Sequence, residues 1–307
     1  MKTALVFSGQ GSQYVGMLKD VCSNSSLANE ILQKANSALS YNISDIMFDG
    51  PIDVLKETRY TQPAIYIHSS ILFNLLNNKL NFDACAGHSV GEFAALYAAG
   101  VIDLYDGLML VAKRGELMFS AGIEQPGTMF AVIGLEDSKV EDVCHQLTAN
   151  GNGNIVVAAN FNSPGQVVVS GSAEYLRENA SAFKTAGAKM VKELVVSGAF
   201  HSPLLNSAKE ELALAIHDTK FNDAIKPIYS NVYAKALYKA EEIKEALILQ
   251  LTSPVKWTQS IIEMKNNSFT KFIEIGPGNV LQGLIKRTIS DIELFGIDKY
   301  EDIEKYQ

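Results

Sequence analysis

The chain has 307 residues, 47% of them hydrophobic and 20% charged, with a formal net charge of −8. That length suits one large domain, or a large domain with a smaller one inserted, and the acidic balance argues against a general nucleic-acid binder. Three scattered cysteines, Cys22, Cys85 and Cys144, form no CxxC pair and sit at no metal-ligand spacing with a histidine, so neither a disulfide framework nor a structural zinc site is expected.

The N-terminus, MKTALVFSGQGSQ, carries an apolar run too short for the h-region of a secretory signal, and no later run reaches the ~18 residues needed to cross a bilayer. A cytoplasmic protein is expected. TALVF reads as a buried strand entering the glycine loop SGQGSQ, and the segment from there to about Leu80 reads as mostly helical. FDACAGH gives a second buried strand, and VGEFAALYAAG an alanine-rich helix stopped by Gly100. DLYDGLMLVAKRGELMFSAG is predicted to be the next helix, with Asp103 as its N-cap and Gly122 as its stop.

The middle third has a different texture. TMFAVIG reads as a strand, EDSKVEDVCHQLTANG as a helix, and NIVVAANF and QVVVSG as two strands joined by a turn at SPG. SAEYLRENASAFKTAG reads as one helix and KMVKELVV as a last strand. This βαββαβ order is the ferredoxin-like pattern and predicts a compact inserted subdomain over residues 127–196. The flanking pieces, 1–126 and 197–307, are expected to form one α/β core with a mainly parallel sheet. They include a helical segment from Ser202, then KPIYSNV, SPVKWTQSIIEM and the strand-turn KFIEIGPGNVLQGL.

The chemistry starts at Gly87-His88-Ser89-Val90-Gly91. A GxSxG pattern between an apolar strand and a helix is a nucleophile elbow: the tight turn projects the serine hydroxyl out of the sheet, and the helix N-terminus favours developing negative charge. Such a hydroxyl needs a base. Among His68, His88, His145, His201 and His217, the first lies in an apolar helix, the second points away from its neighbour Ser89, and His145 and His217 fall in polar helices. His201, in the loop GAFHSPL between a strand and a helix, is the candidate base.

The loop GQGSQYVG departs from a dinucleotide fingerprint, since Tyr14 stands at the third glycine, and it lacks the lysine of a phosphate-binding loop. Its other use is to aim backbone N–H groups at an oxyanion. Arg114 lies on a helix apolar nearly all round, with Leu110, Val111, Leu117 and Met118 at helical spacing and no acid among them. A buried guanidinium without a partner is costly, so its counter-charge comes either from elsewhere in the fold or from a ligand.

In their order along the chain, FSGQGSQ, TQPAIY, AGHSVGEFAALYAAG, KRGELM, NSPGQVVVSG, GAFHSPL, QLTSPVKW and EIGPGNVLQGL resemble the malonyl-CoA:acyl carrier protein transacylases and the acyltransferase domains of polyketide synthases. The likeness runs from about Leu5 to Leu284. It implies an α/β core with an inserted ferredoxin-like lobe and a cleft between them. It also implies Ser89 as nucleophile, His201 as its base, and Gln250 as the residue whose carbonyl orients that base. The amides of Gln10 and Val90 would form the oxyanion hole, Arg114 would hold the malonyl carboxylate, and Phe200 would match a malonyl-type pocket. The implied reaction carries malonyl from malonyl-CoA through an acyl-serine to the phosphopantetheine thiol of acyl carrier protein. It needs no metal or organic cofactor, and the protein is expected to be a monomer. Fatty acid synthesis is the expected pathway, and three readings compete with it: a free-standing polyketide-synthase acyltransferase, an acyl hydrolase using the same serine, and a degenerate acyltransferase kept for docking. Ser8 and Asn279 depart from the family pattern, which often has proline or alanine at the first position and lysine at the second.

Overall fold

The computed structural model describes residues 2–76 and 79–306. Ten strands occur among them: β1 (Lys2–Phe7), β2 (Ala84–Gly87), β3 (Gly127–Ile133), β4 (Val156–Ser163), β5 (Gln166–Ser172), β6 (Met190–Glu193), β7 (Ile228–Tyr229), β8 (Ala236–Leu237), β9 (Phe269–Ile275) and β10 (Glu293–Ile297). They form two sheets, a six-stranded one in the order β10-β9-β1-β2-β7-β8 and a four-stranded one in the order β4-β5-β3-β6.

The larger sheet is parallel except for the β7–β8 pair at its edge. Its central strand β1 shows why the sequence reads as a continuous apolar run. Leu5 and Phe7 enter one hydrophobic core, while Ala4 and Val6 enter a second on the opposite face. Side chains alternate across a strand, so a strand covered by helices on both faces must be apolar at every position. All four are fully buried, and each larger one contributes about 1.5–3 kcal/mol relative to exposure.

The smaller sheet is wholly antiparallel, and its strand order is the ferredoxin-like one. It has its own core, in which Val132, Val167 and Val169 pack against Val140, Leu176 and Phe183 from the covering helices. It is not isolated from the larger unit: Phe161 N donates to Val255 O, and Val255 N to Ala159 O.

The structure differs from the sequence reading at three places. The helix with the Asp103 N-cap runs Leu104–Glu124, past Gly122. A β-carbon on Gly122 would lie 1.9 Å from Ser197 O, so this glycine lets the loop that leads to His201 pass against the helix rather than ending it. The SAEYLRENASAFKTAG segment is two helices, Ala173–Asn179 and Ser181–Thr185, and nothing in its sequence marks the break. The strand predicted over KMVKELVV stops at Glu193: the last ladder pair with β3 is Phe130–Glu193, one further bond runs from Leu194 N to Met129 O, and the chain then leaves the sheet. KPIYSNV, to which the sequence reading gives no element, supplies the two-residue β7.

Ser8 donates its hydroxyl to Glu274, a fully buried carboxylate that also accepts the Leu281 and Gln282 N–H groups at the start of helix Val280–Thr288. The hydroxyl thus satisfies an acceptor that proline or alanine would leave short. Asn279 is exposed at the N-cap of that helix.

Gly122→Ala is expected to cost about 2 kcal/mol through overpacking, seen as a thermal unfolding midpoint lowered by a few degrees. An unchanged midpoint would show that the 197–198 loop yields freely.

Candidate active site

Ser89 stands where β2 meets helix Gly91–Ala98, at φ +52°. A β-carbon at Gly91 would lie 2.2 Å from Phe7 O, so only glycine allows the turn to come this close to β1. The strained serine is held by Asn231: Ser89 N donates to Asn231 Oδ1 at 2.8 Å, and Asn231 Nδ2 donates to Gly87 O at 2.7 Å. A side chain in the left-handed region persists only where its surroundings fix it.

His201 also has positive φ, +58°, and is nearly fully buried. Its Nδ1–H donates to the main-chain carbonyl of Gln250 at 2.9 Å, which leaves Nε2 as an acceptor for the Ser89 hydroxyl at 2.8 Å. Burial, with the Arg114 charge beside it, pushes the imidazole down to about 3. The ring is therefore neutral at ordinary pH, and its Nε2 lone pair faces the hydroxyl. No carboxylate orients it; a peptide oxygen does.

Arg114, on helix Leu104–Glu124, is 1% exposed and reaches the same hydroxyl, with Nη2 3.1 Å from Ser89 Oγ. Its other hydrogen bonds go to Gln62 Oε1 and, at 2.9 Å, to Gln250 Oε1. Among the described residues none of its hydrogen-bond partners is a carboxylate. Burial lowers the guanidinium to about 9, and the nearby Glu92 charge partly offsets this, so it stays cationic at neutral pH. The internal counter-charge weighed from the sequence is thus absent from its hydrogen-bonding shell, which is built of neutral amides.

Ser89, His201 and Gln10 face a cavity of about 160 Å³. Met118, Met129, Val168, Leu194, Val196 and Phe200 give it apolar walls, and Asn160 and Asn162 add polar edges. Asn162 Oδ1 lies 2.8 Å from Nε2 of His88, which is thereby occupied away from Ser89. Val90 precedes the helix with its amide free of any protein acceptor among the described residues, and the same holds for the amide of Gln10. Among the described residues no cluster of three or more His, Cys, Asp or Glu side chains is arranged to hold a metal ion, and no helix is long and apolar enough to cross a membrane.

The sequence reading missed three residues at this site. Gln62 donates from Nε2 to Thr58 Oγ1, which donates on to Gln10 Oε1, so it couples the arginine to the glycine loop. Glu92 is 3% exposed and accepts from Gln250 Nε2 at 2.7 Å, and burial raises its carboxyl to about 7. Asn231 is the third. Gln62 and Glu92 lie inside motifs already singled out, TQPAIY and GHSVGE, and a buried polar position in an apolar segment was their available signal.

Residues 4–306 match the acyl transferase domain family. The chain is 41% identical over 303 residues to a malonyl CoA-acyl carrier protein transacylase of Staphylococcus aureus, covering 99% of this chain and 97% of the relative. It is 38% identical to one from Haemophilus influenzae, over 97% and 95% of the two chains. Among solved structures, an acyl carrier protein S-malonyltransferase from Vibrio cholerae superposes with a TM-score of 0.94 at 37% identity, over the full length of both chains. A malonyl-transacylase in complex with its holo type II polyketide synthase acyl-carrier protein gives the same TM-score at 35% identity, covering 100% of this chain and 99% of that one.

Because the His201 ring is held neutral, acylation of Ser89 by an uncharged acyl thioester should keep its plateau rate well below pH 6.5, the ordinary imidazole value of roughly 6.5. The His201 contribution to stability has the related sign: it is complete above that value and declines as pH falls below it, since at this residue only the unfolded chain binds the proton there. A rate profile that drops at the ordinary value in both the parent and Glu92→Gln, which removes the carboxyl raised to about 7, would mean a solvated ring.

Proposed function

The chain belongs to the acyl transferase domain family, and from that premise we propose that it transfers malonyl from malonyl-CoA, through an ester on Ser89, to the phosphopantetheine thiol of an acyl carrier protein. The observation that carries this reading is Arg114, a buried guanidinium 3.1 Å from the Ser89 hydroxyl whose hydrogen-bond partners among the described residues are all neutral. A diacid's free carboxylate supplies the missing opposite charge, and a bidentate pair fixes its orientation.

His201 Nε2 takes the Ser89 proton as Oγ attacks the thioester carbon. The tetrahedral oxyanion sits between the amides of Gln10 and Val90, each worth ~10²–10³-fold in rate. The carbon–sulfur bond breaks, and His201 returns the proton to the departing coenzyme A sulfur. In the second half, His201 takes the proton of the carrier thiol, sulfur attacks the ester carbon, and Ser89 oxygen leaves and recovers a proton. Every bond is made or broken by groups already named, so no metal or organic cofactor enters the proposal.

On this reading, Phe200 shapes the acyl end of the cavity, residues 127–196 form an inserted lobe that roofs the cleft, and residues 1–126 with 197–307 form the core that carries the serine. The protein acts as a cytoplasmic monomer, and the pathway it serves is fatty acid synthesis. Hydrolysis by the same serine is disfavoured by two features. A clamped acyl chain in a small, apolar-walled cavity leaves water poorly placed, and His201 is oriented by a peptide carbonyl rather than the acid an α/β-hydrolase triad uses.

Intact-protein mass spectrometry after exposure to malonyl-CoA should show one malonyl added, lost in Ser89→Ala, and passed to a phosphopantetheinylated carrier. Free malonate released at equal rates with and without carrier would refute transfer. Arg114→Ala should lower kcat/KM for malonyl-CoA by about 10²-fold or more while acetyl-CoA gains relative ground; unchanged selectivity would give the arginine a structural role only.

A further inference from the structure

The Gln250 side-chain amide has both of its donor directions taken. Nε2 donates to Glu92 Oε2 at 2.7 Å and to the main-chain oxygen of Ser89 at 3.1 Å. Only Oε1 is left, and it faces Arg114 Nη2 at 2.9 Å. The opposite orientation of the amide would set an NH₂ group against a guanidinium and a carbonyl against a carboxylate, two repulsive contacts in a buried site. A carboxylate on the far side of Gln250 therefore decides which end of the amide the arginine meets.

Glu92 is anchored for this task. It lies in the first turn of helix Gly91–Ala98, where the helix N-terminus favours negative charge, and it also accepts from Asn231 N at 3.3 Å. Asn231 is the residue that holds the strained Ser89 turn. The Glu92 carboxyl thus meets, through one intermediary each, both the nucleophile's turn and the cation that sits beside the nucleophile.

We propose that Glu92 is a positioning residue for cargo selection: by fixing the Gln250 amide, it keeps Arg114 aimed at the acyl cavity to receive the substrate's free carboxylate. This inference rests on the malonyl-transfer reading and names how that reading's specificity is built. Glu92 touches neither substrate nor reacting atoms. Its action on His201 is slight, because the imidazole is oriented by the Gln250 peptide oxygen, which the helix Ala240–Gln250 places regardless of the side chain. The expected signature is therefore a change in KM and in acyl preference, with kcat largely spared.

The test compares Glu92→Ala, Glu92→Asp and Glu92→Gln in steady-state transfer from malonyl-CoA and acetyl-CoA to a phosphopantetheinylated carrier, with a melting curve for each. Glu92→Ala should raise the malonyl-CoA KM by ~10-fold or more, the scale of a lost hydrogen bond to a charged group, and narrow the malonyl-over-acetyl preference by a similar factor. Glu92→Gln, whose carbonyl oxygen can accept the same Gln250 N–H, should return KM to within ~3-fold of the parent. Parent-like KM in Glu92→Ala would overturn the proposal, as would a Glu92→Gln enzyme no better than Glu92→Ala, which would make the charge rather than the acceptor the important element. If Glu92→Ala melts too low to assay, Glu92→Asp, with the acceptor withdrawn by one methylene, should give an intermediate KM, and parent values in Glu92→Asp and Glu92→Gln together would equally overturn it. The parent enzyme's own malonyl adduct separates the two levels: without it the transfer reading falls, and with it an insensitive Glu92 removes only the positioning role.

Discussion

The site depends on one cation kept out of water. Arg114 is 1% exposed and touches two side-chain amides and a serine hydroxyl. Desolvating a guanidinium costs several kcal/mol even after relaxation, and neutral acceptors recover only part of this. A core optimised for stability alone would place a carboxylate against it or replace it by leucine. Glu92 is instead set back behind Gln250, close enough to temper the field and too far to form an ion pair. The guanidinium thereby remains available for an incoming anion, and the fold bears the cost.

The same economy of contacts governs Ser89 and His201. Ser89 and His201 both adopt left-handed backbone conformations that L-residues avoid, and each is over-determined by its neighbours. Asn231 bridges Gly87 and Ser89 across the elbow, while Gln250 and the close-packed segment beside Gly122 fix the histidine. Arg114 donating to Ser89 Oγ leaves that oxygen's own proton directed to Nε2. Cation, hydroxyl and imidazole form one polarised row in which each member settles the orientation of the next.

Much of this was legible in the sequence because it rests on local chemistry. The GHSVG turn, the apolar strand before it and the alanine-rich helix after it identify the elbow, and an arginine on an all-apolar helix announces its own burial. The ferredoxin-like order came from short apolar runs and polar helical stretches set apart by turn signals, and it needs no clean alternation: β4 and β5 are buried at consecutive positions, while β6 has no buried residue. What escaped notice was set by tertiary contact. Gly122 looks like a helix stop until the 197–198 loop is seen against it, and β6 ends where the chain leaves its pairing with β3, which no local pattern encodes. Gln62, Glu92 and Asn231 act across sequence separations of 52, 158 and 142 residues, where spacing carries no information.

Gln250 divides its duties between two chemically independent parts. Its peptide oxygen meets His201 Nδ1, and its side-chain oxygen meets Arg114. A substitution there alters the second without erasing the first, since every residue type carries a backbone carbonyl. On the proposed reading, a change of side chain at this position shifts which acyl group is favoured while the contact to His201 Nδ1 stays in place.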